Sequence, residues 1–299
     1  MRGLIVRSQS GFYTVETPAG PLVCQLRGRL KKGKRVGDVV AIGDWVQVSR
    51  LDDGSGMIEA VEERQRMFSR MAPHPQGEYQ QILIANPDQA VVVFSCAQPE
   101  PRLKMLDRFL VIAEKQHIPT LIVANKVDLV GHQVARSVFG HYEKLGYDLL
   151  YSSAVTGEGV NGLKERLEDK VSLLTGPSGT GKSSLLNALQ PGLGLTVRQV
   201  SHVTEKGRHT TVVRQMFPLD GGGYVADTPG LKALALYDIE PEELDGYFPE
   251  LSPLVENCQF SDCTHVHEPG CAVLEALQAG EIHPERYESY LRMRFGDEE

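Results

Sequence analysis

Gly176-Pro177-Ser178-Gly179-Thr180-Gly181-Lys182-Ser183 fits the spacing Gly-x4-Gly-Lys-Ser/Thr, which cradles phosphate. Its flanks give the spacing weight. Val171-Ser172-Leu173-Leu174 ahead of it reads as a short buried strand, and Ser184-Leu185-Leu186-Asn187-Ala188-Leu189 behind it reads as a helix. Strand, glycine loop and helix N-terminus are the three parts a phosphate site needs. The glycines let backbone N–H groups turn inward, and the positive end of the helix dipole adds to their field. Gly176, Pro177, Ser178, Gly179, Thr180, Gly181, Lys182, Ser183 and Ser184 are therefore assigned to a nucleotide's phosphates. Lys182 reaches the β- and γ-phosphates and counts among the catalytic candidates, and the Ser183 hydroxyl is a Mg²⁺ ligand.

Upstream, strands alternate with helices. Ala90-Val91-Val92-Val93-Phe94-Ser95 is a buried strand, and apolar residues at Leu103, Leu106, Leu110 and Ala113 predict a helix over 103–116. Strands over 120–124 and 148–151 and helices over 134–144 and 160–167 continue the rhythm, which is that of a mainly parallel, doubly wound α/β sheet. Ligands of such sheets lie beyond the carboxyl ends of the strands. Asn125-Lys126-Val127-Asp128 stands at one such end. The Asp128 carboxylate can accept from guanine N1–H and the exocyclic amine together, a paired donor edge that adenine lacks. Asn125 is placed to touch the base edge and tie this loop to the glycine loop, and the Lys126 stem to cover one face of the ring. Ser153 and Ala154 end the next strand, where the Ala154 N–H can meet the guanine O6.

Downstream, Asp227-Thr228-Pro229-Gly230 follows the apolar run Tyr224-Val225-Ala226. An aspartate there can hold Mg²⁺ through water, and the Gly230 N–H can meet a γ-phosphate. Residues 204–211 between the two are polar and contain glycine, as a loop closing over phosphate requires. Thr211, favoured over Thr210, completes the Mg²⁺ shell in this reading. Many GTPases place a Gln after Asp-x-x-Gly to orient the attacking water. Leu231 stands there instead, so intrinsic hydrolysis should be slow, and His209 is the candidate that orients water in its place.

Around this core the 299 residues divide unevenly in charge. The net value of −8 conceals +4 over residues 1–70 and −13 over 236–299. The first 66 residues alternate as about five short strands separated by Gly, Pro and Asp turns, which suits an OB-like barrel. Val39-Val40-Ala41-Ile42 is one of those expected strands, and the basic turn over 27–35 suits a phosphate backbone. Pro73, Pro75 and Gly77 mark 67–78 as a linker, 79–235 as the α/β domain and 236–299 as an acidic, mainly helical remainder. No apolar run reaches the ~18 residues of a membrane span, and the interrupted N-terminus does not read as a signal peptide, so a cytoplasmic protein is expected.

Cys24 and Cys96 sit singly in apolar runs and read as small buried hydrophobes. The other three cysteines cluster. Cys258, Cys263 and Cys271, with His265 or His267, form a donor set suited to a closed tetrahedral Zn²⁺ site that holds a small domain together.

Ordinary GTPases run glycine loop, Asp-x-x-Gly, Asn-Lys-x-Asp, Ser-Ala. Here Asn125–Asp128 and Ser153-Ala154 precede the glycine loop, and Asp227–Gly230 follows it. This circularly permuted order, the barrel-like N-terminus and the Cys/His cluster resemble the ribosome small-subunit-dependent GTPases of the RsgA/YjeQ type over nearly the whole chain. The resemblance implies GTP hydrolysis to GDP, stimulation by the small (30S) ribosomal subunit late in its maturation, 16S-type rRNA as partner, His265 as the zinc histidine, and a monomer. Alternatives are a P-loop ATPase or kinase, against which Asp128 speaks, and an RNA-binding module that keeps nucleotide only as a structural ligand. Permutation also sends the segment after Asp-x-x-Gly, residues 231–237, straight into the C-terminal part. Its ordering around a γ-phosphate would then pull on that part.

Overall fold

A computed structural model describes residues 1–31, 37–74, 77–193, 214–227 and 239–296. Five strands form the N-terminal barrel: β1 (Arg2–Gln9), β2 (Phe12–Thr17), β3 (Gly20–Leu26), β4 (Trp45–Arg50) and β5 (Gly56–Val61). Their order is β1-β2-β3-β5-β4, with β3 and β5 parallel and β1 closing antiparallel on β4. In β3 the residues alternate strictly, so Leu22, Cys24 and Leu26 enter the barrel core while Val23 and Gln25 face out. Val39–Ile42 is not a strand. Val40, Ala41 and Ile42 are buried and Val39 is half-buried, but Gly43 turns the chain at φ +85 and the Asp44 carboxylate accepts from the Ala41 N–H at 2.7 Å. Apolar content made them core, and the turn after them denied them a ladder.

Residues 67–78 are not a bare connection either. β6 (Met67–His74) and β7 (Gly77–Ala85) pair antiparallel as a separate two-stranded sheet. Pro73 stands within β6, in register with Glu78 near the far end of the hairpin.

The second half of the sheet carries β8 (Gln89–Ser95), β9 (Thr120–Asn125), β10 (Asp148–Ser152), β11 (Val171–Thr175), β12 (Arg214–Pro218) and β13 (Tyr224–Asp227), in the order β10-β9-β8-β11-β13-β12. All but β12 run parallel. Period-two burial assigns the two faces. Val92, Phe94, Ile122 and Ala124 pack toward α1 (Leu103–Lys115) and α2 (His132–Lys144). Val91, Val93, Leu121 and Val123 pack toward α3 (Val160–Leu167) and α4 (Lys182–Leu189). Both faces being covered is why β8 is buried at every position.

Barrel and sheet are continuous, because β12 pairs antiparallel with β1 through Arg7↔Gln215 and Ser8↔Arg214. Arg214 also donates to Asp38 at 3.0 Å, and Asp38 in turn accepts from the Tyr79 hydroxyl at 2.8 Å. The C-terminal part consists of α5 (Ser252–Val255), α6 (Ala272–Gln278) and α7 (Pro284–Phe295), with a 3-10 turn over Pro241–Tyr247. It docks on α1 through a charge cluster whose Arg286 and Asp107 are fully buried. Arg286 donates to Asp107 at 2.7 Å and to Glu250 at 2.6 Å, while Tyr142 and Ser289 also donate to Asp107. No helix among the described residues is long and apolar enough to cross a membrane.

Candidate nucleotide site and metal centre

The parallel strands end together on one edge of the sheet, so β9, β10, β11 and β13 deliver Asn125, Ser152, Thr175 and Asp227 to the same rim. The glycine loop follows β11. Two of its glycines are dictated by space. A Cβ on Gly176 (φ +135) would lie 2.2 Å from the Val93 carbonyl oxygen, and one on Gly181 (φ +96) would lie 2.3 Å from Asn125 Nδ2. Both φ values also lie in the left-handed region that favours glycine.

The loop is braced from within. The Thr180 hydroxyl donates to the Pro177 carbonyl at 3.0 Å, and Lys182 Nζ donates to the carbonyls of Gly176 and Pro177, each at 2.8 Å. Lys182 and Ser183 are buried, whereas Ser178 and Gly179 are exposed at the tip. Gly181 precedes α4 with no side-chain cap, so the helix opens with N–H groups directed at the cleft, the arrangement that attracts phosphate.

The base loop reaches that cradle directly. Asn125 Nδ2 donates to the Thr180 carbonyl at 2.8 Å, and its Oδ1 accepts from the Ser152 hydroxyl at 3.2 Å. Lys126 (φ 65) sends Nζ to the Gly179 carbonyl at 2.7 Å and to the Gln98 carbonyl. Asp128 is exposed, with its carboxylate available to a ligand edge. Ser153 takes the N–H groups of Val155 (3.3 Å) and Thr156 (3.2 Å) on its hydroxyl, and Ala154 stands half-buried at the head of that turn. Asn125, Lys126, Asp128, Ser153 and Ala154 therefore line one rim with the glycine loop. His209, Thr210, Thr211, Gly230 and Leu231 lie outside the described residues, as does the 231–237 connection. Asp227 is placed by its backbone at the end of β13.

Sequence reasoning missed the Gln98 carbonyl, a backbone group with no residue signature. Cys96 lies next to it, its N–H donating to the Asn125 carbonyl at 2.7 Å. Burial, with a smaller contribution from Asp128, pushes its thiol up to about 11, so it is a poor nucleophile.

Ligand atoms of Cys258, Cys263, His265 and Cys271 all lie within 4.8 Å of one another. His265 Nδ1 is 3.6 Å from Cys258 Sγ and 3.4 Å from Cys271 Sγ, and those two sulfurs are 3.9 Å apart. A tetrahedral zinc with ordinary bond lengths separates its sulfurs by ~3.8 Å and a sulfur from a nitrogen by ~3.6 Å. These three separations match those values, and with Cys263 within 4.8 Å the donor set suits a zinc ion. His267 is exposed and outside it. The other nitrogen, His265 Nε2, meets Asp245 Oδ2 at 3.1 Å, which fixes the ring with Nδ1 toward the thiols. Asp245 was not legible as part of this site, because it lies twenty residues upstream. Glu268 supports the turn. Burial opposes its charge, but hydrogen bonds from the Thr264 hydroxyl and N–H and from the N–H groups of His267 and Glu268 itself hold its carboxyl well below the usual range.

In the barrel, the basic turn is partly neutralised, since Arg27 and Arg29 both pair with Glu59. Residues 32–36 lie outside the described residues.

Comparison with known proteins bears on both sites. The RsgA GTPase family model matches residues 61–237 and the RsgA N-terminal domain model matches residues 2–58. A protein of Gemmatimonas aurantiaca named small ribosomal subunit biogenesis GTPase RsgA is 44% identical over 295 residues, covering 98% of this chain and 96% of that one. Its namesake from Thermotoga maritima is 42% identical, covering 98% and 95%. Among solved structures, YjeQ from Thermotoga maritima superimposes with a TM-score of 0.78 at 40% identity, covering 99% of each chain. YloQ, described as a circularly permuted GTPase, gives 0.74 at 32% identity, covering 98% and 93%.

Proposed function

The chain belongs to the RsgA GTPase family and is a GTPase, and from that premise we propose that it hydrolyses GTP to GDP and phosphate in small-subunit biogenesis, stimulated by the small ribosomal subunit. The observation that carries the residue assignment is the hydrogen bond from Asn125 to the Thr180 carbonyl, which fixes a guanine-reading loop against a phosphate loop. Asp128 reads the N1–H and amine edge, Lys126 lies along the ring, and the Ala154 N–H takes O6. The N–H groups of residues 176–184 surround the phosphates, with the Lys182 ammonium neutralising charge as it moves onto the leaving oxygens. Ser183 and Thr211 would hold Mg²⁺, which when bound neutralises charge on the β- and γ-oxygens. Asp227 supports that shell through water, and Gly230 donates to the γ-phosphate.

His209 orients the attacking water, since Leu231 cannot. Basal turnover is therefore slow and waits for the partner. The +4 barrel suits rRNA, whereas the −13 C-terminal part suits a basic protein surface or solvent. The Cys258/Cys263/His265/Cys271 set holds one structural zinc. A cytoplasmic monomer fits this reading. The test is GTP turnover with and without purified small subunits, in the parent and in Asp128→Asn. Stimulation in the parent and a shift from GTP toward XTP in the variant are expected. Equal rates with and without subunits would remove the partner, and an unshifted preference would remove the base assignment.

A further inference from the structure

The turn that leaves β8 approaches the nucleotide site from a side covered by none of the nucleotide motifs. Ser95 ends the strand, in register with Asn125 of β9, and is 1% exposed. Its hydroxyl donates to the Pro99 carbonyl at 2.6 Å and closes the turn. Within that turn Gln98 takes φ 50, and its carbonyl accepts from Lys126 Nζ. The same ammonium donates to the Gly179 carbonyl at 2.7 Å. Pro99 Cδ lies 3.4 Å from the point where a Cβ on Gly179 would sit, so the turn also abuts the phosphate loop.

We propose that Ser95 is a positioning residue for the guanine nucleotide. By holding the Pro99 carbonyl it fixes the turn, so that the carbonyls of Gln98 and Gly179 together pin the Lys126 side chain across the face of the purine. The proposal rests on the base-reading role given to Lys126 and Asp128. A buried serine hydroxyl must find an acceptor wherever it stands, so a hydrogen bond alone would also fit a purely structural residue. The two roles differ in one respect. If Ser95 acts through Lys126, its removal matters to the nucleotide only while Lys126 is present.

A double-mutant cycle on the full chain reads this out, with a fluorescent N-methylanthraniloyl GDP as probe. Ser95→Ala is expected to weaken binding about fivefold when Lys126 is present, the size of one hydrogen bond. In a Lys126→Met background it should weaken binding by less than about twofold. The same factor in both backgrounds overturns the proposal. If Ser95→Ala melts below the assay temperature, the near-isosteric Ser95→Cys, a weaker donor, enters the same cycle with the same two outcomes. Competition by ADP against the unsubstituted chain is run alongside. ADP displacing the probe as well as GDP does would remove the base reading itself, whereas guanine selectivity with an uncoupled cycle would remove only the role of Ser95.

Discussion

The nucleotide loops leave strands of one sheet and bond to each other through backbone carbonyls, Asn125 to Thr180 and Lys126 to Gly179, while Lys182 braces the glycine loop at Pro177. The region from 239 to 296 has helices of only four, seven and twelve residues, and side chains tie it together. Its ties are the three cysteines with His265, Asp245 behind them, and Arg286 between Asp107 and Glu250. A ladder of many small bonds loses little when one is cut. A few buried polar groups lose much, because each removal strands the partners. The two regions should therefore fail differently under single changes.

The largest difference should come from the proposed zinc. Folding of small zinc domains is linked to binding worth ~10–16 kcal/mol. Chelation, or Cys271→Ser, is expected to abolish amide protection over 239–296 and expose it to protease, while β8, β9 and β11 stay protected. Loss of protection in both regions at once would erase the distinction.

Arg286→Met comes next. Burial works against the Arg286 charge, but Asp107 and Glu250 outweigh it and hold the guanidinium above its ordinary range. Its carbon also lies 4.5 Å from the Phe248 ring centroid. Removing it leaves two buried carboxylates without a cation, at about 3–5 kcal/mol. Thermal unfolding measures this, and adding Asp107→Asn and Glu250→Gln should restore most of the loss. Asn125→Ala is the counterpart in the sheet region. It removes two hydrogen bonds of about 1 kcal/mol each and should weaken GDP binding ~30-fold in a titration. Its fold loss should stay well below that of Arg286→Met.

The same contrast explains what could be read from the residues alone. The sheet was legible because Ala90–Phe94 and Leu121–Ala124 are unbroken apolar runs beside a phosphate loop of fixed spacing. The Cys258/Cys263/His265/Cys271 cluster was legible because its members fall within fourteen residues. The docking cluster was not: Arg286 and Asp107 are 179 residues apart, and an aspartate in α1 looks like a solvent-facing one until α7 covers it. Val39–Ile42 misled in the other direction, since burial shows in composition but ladder pairing does not. The β6–β7 hairpin was hidden by Pro73 and Pro75, which read as a break wherever they stand.

The smallest effect sharpens the comparison at the edge where the two regions meet. His141 of α2 stacks on His283 just before α7, with ring centroids 4.2 Å apart and planes 13° apart. Its Nε2 is buried without a hydrogen-bond partner. Burial, then the neighbouring His283 and Arg286, pull the imidazole down to about 4, with Glu250 opposing. An unfolded histidine titrates near ~6.5. Above that value both states are neutral and the group contributes its full stability. As pH falls from ~6.5 toward about 4, the unfolded chain takes up the proton and the native one resists, so stability declines through that window. Melting temperature followed from pH 7.5 to 4.5 should fall less steeply in His141→Gln than in the parent. The extra loss in the parent should appear first as protease sensitivity of 239–296, because the stacked ring touches that region and not the nucleotide loops. Parallel pH profiles for the two proteins would mean that the His141–His283 stack adds nothing to the docking, leaving Arg286 and its carboxylates to hold the regions together.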